Sequence, residues 1–161
     1  MKKELVVYFS VYGTAKLVAE EIARQTGADL TEIQPVVPYD SDRNHYHALA
    51  RQTKRELEGN CRPAIRNKIA IRGYDRIYIG YPMWWYTFPM ILYTFFEQYD
   101  FSEKTIIPFN TKMGGRDGDT YDTIHALEPK AVVLTGLPVE MRDAEQGAAA
   151  TVRQCLSSLP I

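Results

Sequence analysis

A chain of 161 residues with 45% hydrophobic content can bury one full-sized core and is short for two ordinary domains. Its 19 basic and 20 acidic residues leave a formal net charge of −1, which argues against a nucleic-acid partner and against a strongly acidic carrier that docks by charge. No apolar run approaches the roughly 18 residues that a membrane span needs, and the basic start Met1-Lys2-Lys3 precedes too short an apolar run for a secretory signal.

The elements follow in chain order. Leu5-Val6-Val7-Tyr8-Phe9 is continuously apolar, as in a strand covered on both faces. Ala15, Val18, Ala19 and Ile22 keep one face of a helix through residues 14 to 26. Asp29-Leu30-Thr31-Glu32-Ile33 alternates and suits an edge strand. Tyr46, Leu49, Ala50, Thr53 and Leu57 line a second helix through 44 to 58, and the stretch 59–73, with Gly59, Pro63 and four basic residues, reads as a solvated connector. Ile77-Tyr78-Ile79-Gly80 is a third strand. Pro89, a favourable first-turn residue, introduces a helix carrying Ile91, Leu92, Phe95 and Phe96. Thr105-Ile106-Ile107-Pro108 is a fourth strand, a short helix occupies 119 to 127, and Ala131-Val132-Val133-Leu134 is a fifth strand. Ala148, Val152, Cys155, Leu156 and Leu159 mark the last helix. There is no repeat, linker or low-complexity segment, so residues 1–161 read as a single domain. Strict alternation of strand and helix implies a parallel sheet with right-handed crossovers and helices on both faces. Cys61 and Cys155 form neither a metal spacing nor a disulfide framework, consistent with a cytoplasmic chain that keeps its thiols reduced.

Parallel sheets of this kind bind ligands beyond the carboxyl ends of their strands, so the loops after the first, third and fourth strands matter most. Ser10-Val11-Tyr12-Gly13-Thr14-Ala15-Lys16 combines a glycine, two hydroxyls and a lysine at a helix start. Backbone amides there favour a phosphate; the plainer alternative is a tight turn with Thr14 as N-cap. It is not a Walker loop, because no glycine-led Gly-Lys-Ser/Thr is present. Gly80-Tyr81-Pro82-Met83-Trp84-Trp85-Tyr86-Thr87 places adjacent indoles in a loop. They suit a flat heteroaromatic ligand or, equally, an apolar subunit interface. Asn110 to Asp119 contains Gly114, Gly115 and Gly118, which let a backbone approach a ligand closely; a flexible polar loop would look the same. The conjunction of the three on one sheet edge favours a ligand site.

Residues Ile79-Gly80-Tyr81-Pro82-Met83-Trp84-Trp85, Thr94-Phe95-Phe96-Glu97, Asp100-Phe101-Ser102 and Ile107-Pro108-Phe109, with Tyr8-Phe9-Ser10-x-Tyr12-Gly13-Thr14, resemble the flavodoxin-like family, in particular its branch with a Gly-Tyr-Pro-x-Trp-Trp loop. The resemblance covers essentially the whole chain. It implies a three-layer α/β sandwich with a five-stranded parallel sheet in the order 2-1-3-4-5, and FMN as cofactor. It places the FMN phosphate on Ser10, Tyr12, Gly13, Thr14 and Ala15, with Lys16 at the end of that loop. It places the isoalloxazine ring between Pro82, Met83, Trp84, Trp85, Tyr86 and Thr87 on one side and Thr111, Lys112, Met113, Gly114, Gly115, Arg116 and Gly118 on the other. A backbone N–H of the tryptophan loop would face flavin N5. The chain departs from the family pattern at Tyr12 and Ala15, where hydroxyl residues are expected, at Tyr86, where a small residue is frequent, and at Gly115-Arg116, where Ser-Gly is common. Each missing hydroxyl bond to a charged phosphate would cost about 1.5–3 kcal/mol, or roughly one to two decades in affinity.

The resemblance implies an FMN redox protein, either an electron carrier working with a redox partner protein or a small reductase. Trp84, Trp85 and Tyr86 would wall the open ring face, where a quinone could stack. Lys112 or Arg116 near the N1–O2 edge would make the potential less negative than in a flavodoxin with an acidic loop. No second glycine fingerprint marks an NAD(P)H site. The exposed aromatic loop makes a homodimer an expectation. The competing reading is a non-redox binding module on the same scaffold with a degenerated flavin site. A receiver-type signalling domain needs acidic residues after the first strand, where this chain has Phe9-Ser10-Val11. His45 and His47 are two apart and point away from each other on a helix, and no Gly-x-Ser-x-Gly elbow supports a hydrolase.

Overall fold

The computed structural model describes residues 2–115 and 118–161. Its parallel sheet begins with β1 (Glu4–Tyr8), flanked by β2 (Asp29–Glu32) and β3 (Arg76–Pro82). β4 (Thr105–Lys112) pairs with β3 along seven residues, from Arg76↔Thr105 to Pro82↔Thr111. The order is β2-β1-β3-β4-β5, the doubly wound arrangement expected for this family.

Period-two alternation along the strands divides the core. Leu5, Val7 and Phe9 join Ile77, Ile79 and Tyr81 on one face, where α3 (Ile91–Gln98) and α4 (Thr120–Leu127) supply Phe95, Phe96 and Ile124. Val6, Tyr8, Tyr78, Ile107 and Phe109 line the other, covered by Val18, Ala19 and Ile22 of α1 (Thr14–Thr26) and Val152 of α6 (Ala149–Ser157). These are the three layers. Among the described residues, no helix is long and apolar enough to cross a membrane.

The fifth strand is two short strands rather than one. β5 (Val132–Val133) pairs with the start of β4, and β6 (Leu137–Glu140) pairs with its end, from Phe109↔Leu137 to Lys112↔Glu140. The break carries Gly136, where a Cβ would lie 1.9 Å from the Tyr121 ring. β6 leads directly into α5 (Met141–Glu145), an element that periodicity did not reveal. α2 runs Tyr46–Glu58 behind a 3-10 turn at Arg43–His45, so the helix expected from residue 44 starts two residues later.

The stretch 59–73 is not a solvated connector. Ile69 and Ile71 are buried in the core, and Ile65 bridges Pro35 in antiparallel fashion. The Asn67 carboxamide donates to the Glu32 carbonyl at 2.8 Å and accepts the Gln34 N–H at 3.0 Å, tying this strand-like segment to the end of β2.

Two stability predictions arise here. At Gly80 a Cβ would fall 2.0 Å from the buried Phe109 ring, so Gly80→Ala overpacks the centre of the sheet and should destabilise by about 1–3 kcal/mol, read as a lower midpoint in chemical denaturation. At Glu128, half-buried after α4, burial and the nearby Asp100 push the carboxyl up to about 7. The folded state then holds a proton that the unfolded chain releases, so stability falls as pH rises from the ordinary carboxylate range to about 7. Glu128→Gln should flatten that slope and stabilise the protein above it, as followed by thermal melts across pH.

Candidate functional site

The carboxyl ends of β1, β3 and β4 bring the three loops to one edge of the sheet. In the first, Phe9 N–H still bonds the Gly80 carbonyl at 2.9 Å, and Ser10 Oγ then accepts the Gly13 N–H at 3.0 Å. Gly13 has φ 92°, a left-handed conformation that glycine adopts without strain. The cap of α1 is therefore Gly13, not Thr14, and no side chain caps it. Leu17 N–H bonds the Gly13 carbonyl at 3.1 Å, so the amides of Thr14, Ala15 and Lys16 belong to the first turn and precede that intrahelical bond. Ala15 points into the core, and Lys16 lies on the exposed face of α1 with Glu20 at 3.9 Å.

Two side chains from elsewhere converge on this loop. The Arg43 guanidinium lies 5.1 Å from the Tyr12 ring centroid. Its Nη2 donates to Glu145 Oε1 at 3.0 Å, and Thr14 Oγ1 lies 3.5 Å from the same oxygen. Tyr12, Gly13, Thr14, Leu17, Arg43 and Glu145 line an open concavity of about 500 Å³. Tyr12 Oη is buried without a hydrogen-bond partner among the described residues, and burial pushes the phenol above its ordinary pKa. Arg43 and Glu145 were invisible to motif reasoning, since Glu145 stands 131 positions from Thr14.

The second loop is a tight hairpin. Met83 N–H bonds the Thr111 carbonyl at 2.9 Å, keeping Pro82 and Met83 beside β4. Trp84 and Thr87 then exchange hydrogen bonds at 2.9 and 3.1 Å around Trp85 and Tyr86, whose φ angles are 54° and 62°. Two consecutive left-handed residues are the geometry of a two-residue hairpin turn, which ordinarily selects Asn and Gly. Bulky side chains in that position are unusual. The three aromatic residues play different parts. Trp84 is half-buried, edge-on to Phe9 and Tyr39 with centroids 5.6 Å apart in each pair. Trp85 is tied to α2: its indole N–H donates to Thr53 Oγ1 at 3.1 Å, and Lys54 Nζ sits 5.3 Å from its ring. Tyr86 projects outward and is 78% exposed.

In the third loop, Thr111 is buried and Met113 is exposed. Gly114, Gly115 and Gly118 all have positive φ, between 63° and 78°. Gly114 N–H donates to Glu140 Oε2 at 2.7 Å, and Lys112 Nζ donates to the Gly115 carbonyl at 3.0 Å. At Gly118 a Cβ would lie 2.0 Å from the Tyr86 carbonyl oxygen, so the second and third loops meet there. Arg116, expected in this loop with Asp117 beside it, lies outside the described residues. The edge thus offers first-turn amides, an arginine, left-handed glycine backbone and exposed aromatic surface: the pieces for an anionic tail joined to a planar head.

Comparison with known proteins agrees with the architecture. The sequence profile of a flavodoxin family matches residues 3–154. A protein from Bacteroides uniformis assigned as a flavoprotein is 31% identical, with 98% of this chain and 99% of that one covered at a TM-score of 0.85. Another from Bacteroides eggerthii is also 31% identical, covering 94% and 98% at a TM-score of 0.77. A flavoprotein from Lactobacillus acidophilus, solved in complex with FMN, shares the fold at 22% identity, covering 92% and 99% with a TM-score of 0.71. No curated protein sequence matches the chain.

Proposed function

The chain belongs to the flavodoxin family, and from that premise we propose that it binds FMN at the carboxyl edge of its sheet and serves as a redox protein. The observation that carries this reading is the meeting of the three loops. The amides of Thr14–Lys16 and the Ser10–Gly13 turn suit a phosphate, and the Pro82–Thr87 hairpin and the glycines at 114, 115 and 118 suit a flat ring system. The FMN complex of the Lactobacillus relative supports the choice of nucleotide.

Bound FMN supplies reversible electron and hydride transfer; the protein positions it and biases its charge states. The first-turn amides and Thr14 hydroxyl hold the phosphate. The left-handed glycines present backbone to the ring without a side chain intervening. Lys112, which arches over the Gly115 carbonyl, adds positive charge to this loop and stabilises negative charge on the reduced ring. Lys112→Ala should therefore make the two-electron midpoint more negative, by about 30 mV for each tenfold loss in relative affinity for the reduced form. An unchanged midpoint in spectroelectrochemical titration removes Lys112 from this role.

The electron acceptor is a flat molecule such as a quinone, or a partner protein, meeting the exposed Trp85, Tyr86 and Met113; a second copy of the chain covering this surface would complete the pocket. Reduction of the reconstituted protein under anaerobic conditions, followed by addition of a quinone, tests the redox role. Bleaching of the flavin band and its recovery on quinone addition is expected. Binding of FMN without reversible reduction would leave only the non-redox reading of the scaffold, favoured by Tyr12 and Ala15 in place of hydroxyl residues.

A further inference from the structure

We propose that Arg43 is the cation that recognises the FMN phosphate and that Glu145 is a built-in competitor for it. The inference rests on the FMN reading above and assigns the charge recognition that the departures at Tyr12 and Ala15 leave open. Arg43 reaches the loop from the 3-10 turn before α2, lies over the Tyr12 ring, and shares Glu145 Oε1 with the Thr14 hydroxyl. Only its Nη2 is engaged by Glu145, at 3.0 Å, and a guanidinium carries five N–H donors in a planar fork that matches phosphate oxygens. Glu145 places a carboxylate oxygen between Arg43 and the Thr14 hydroxyl. An anion is thus already held at the first turn of α1, where the helix dipole favours one. A phosphate binding there gains Arg43 and the Thr14 hydroxyl and must displace or tolerate the carboxylate. Tyr12 then has a physical reason to differ from a hydroxyl residue: its ring is the platform for Arg43.

The test is fluorescence titration of the wild-type protein, Arg43→Gln and Glu145→Gln with FMN and, separately, riboflavin, which shares the ring and lacks the phosphate. Arg43→Gln should weaken FMN binding at least about tenfold, the loss of a charge-assisted bond, and leave riboflavin affinity unchanged. Glu145→Gln keeps an acceptor for Arg43 but removes the negative charge; it should tighten FMN binding by roughly threefold or more, again without changing riboflavin. Both side chains are substantially exposed, so neither variant threatens the fold. Wild-type binding of FMN with Arg43→Gln unchanged, or with equal losses for both ligands, overturns the inference while the FMN reading stands. Failure of Glu145→Gln to tighten FMN overturns the competition. Failure of wild-type protein to take up FMN removes both.

Discussion

Gly118→Ala should separate the two loops proposed to flank the flavin ring and weaken FMN binding by at least about tenfold, with a fall of only a few degrees in melting temperature. The residue has φ 63°, and a methyl group there would stand 2.0 Å from the Tyr86 carbonyl oxygen. A left-handed alanine costs about 1–2 kcal/mol by itself, and the overlap is with backbone, which cannot rotate away. Relief requires the Gly118 segment or the Trp84–Thr87 hairpin to move, and both line the proposed ring site. The strain falls at the edge of the sheet, so the melting temperature should fall by only a few degrees. Titration of the variant with FMN and riboflavin checks this: losses of equal size for both ligands are expected, because the ring site is what moves. Undiminished affinity would show that contact between these loops is irrelevant to binding. The contrast with Arg43→Gln, where only FMN is affected, separates ring recognition from phosphate recognition in one set of titrations.

Trp84→Ala should destabilise the protein by about 2–4 kcal/mol, since a large aromatic side chain and two edge-to-face contacts are lost. For a chain of this size that corresponds to a fall in melting temperature on the order of 10 °C. Trp84 joins Phe9 at the end of β1 to Tyr39 in the β2–α2 connection, and Tyr39 Oη in turn donates to Glu56 on α2 at 2.5 Å. One indole therefore fastens the hairpin to the first strand and to the second helix. Trp85→Ala should cost less, because Trp85 is 43% exposed and is held mainly by its bond to Thr53. Thermal melts of the two variants side by side decide this; equal losses would contradict the division of labour between the neighbouring indoles.

Much of the architecture was legible because buried parallel strands must be apolar on both faces. Leu5–Phe9 and Ile77–Gly80 therefore stood out without periodicity, and both lie at the sheet centre. The carboxyl-edge loops followed from strand order alone. What escaped attention was hidden by residue types that usually mean something else. Leu137-Pro138-Val139 buries Leu137 and Val139 and exposes Pro138, yet a proline argues against a strand unless it lies on an edge, which is where β6 lies. Lys68-Ile69-Ala70-Ile71-Arg72 alternates in burial too, but its charged neighbours made it look like a solvated linker. The tryptophan pair looked like a ligand wall; burial of Trp84 against Phe9 and the Trp85–Thr53 bond show that packing claims much of both. Arg43 and Glu145 carried no sequence signal at all, because chain folding alone brings the 3-10 turn and α5 to the first loop.

The most direct test of the central claim is an equilibrium titration of the purified, cofactor-free protein with FMN, following both flavin and tryptophan emission. Saturable one-to-one uptake is expected, with flavin fluorescence altered and the emission of the indoles beside the ring site quenched. Emission that stays unchanged across the whole range up to millimolar nucleotide would contradict the account and leave the fold without its proposed chemistry.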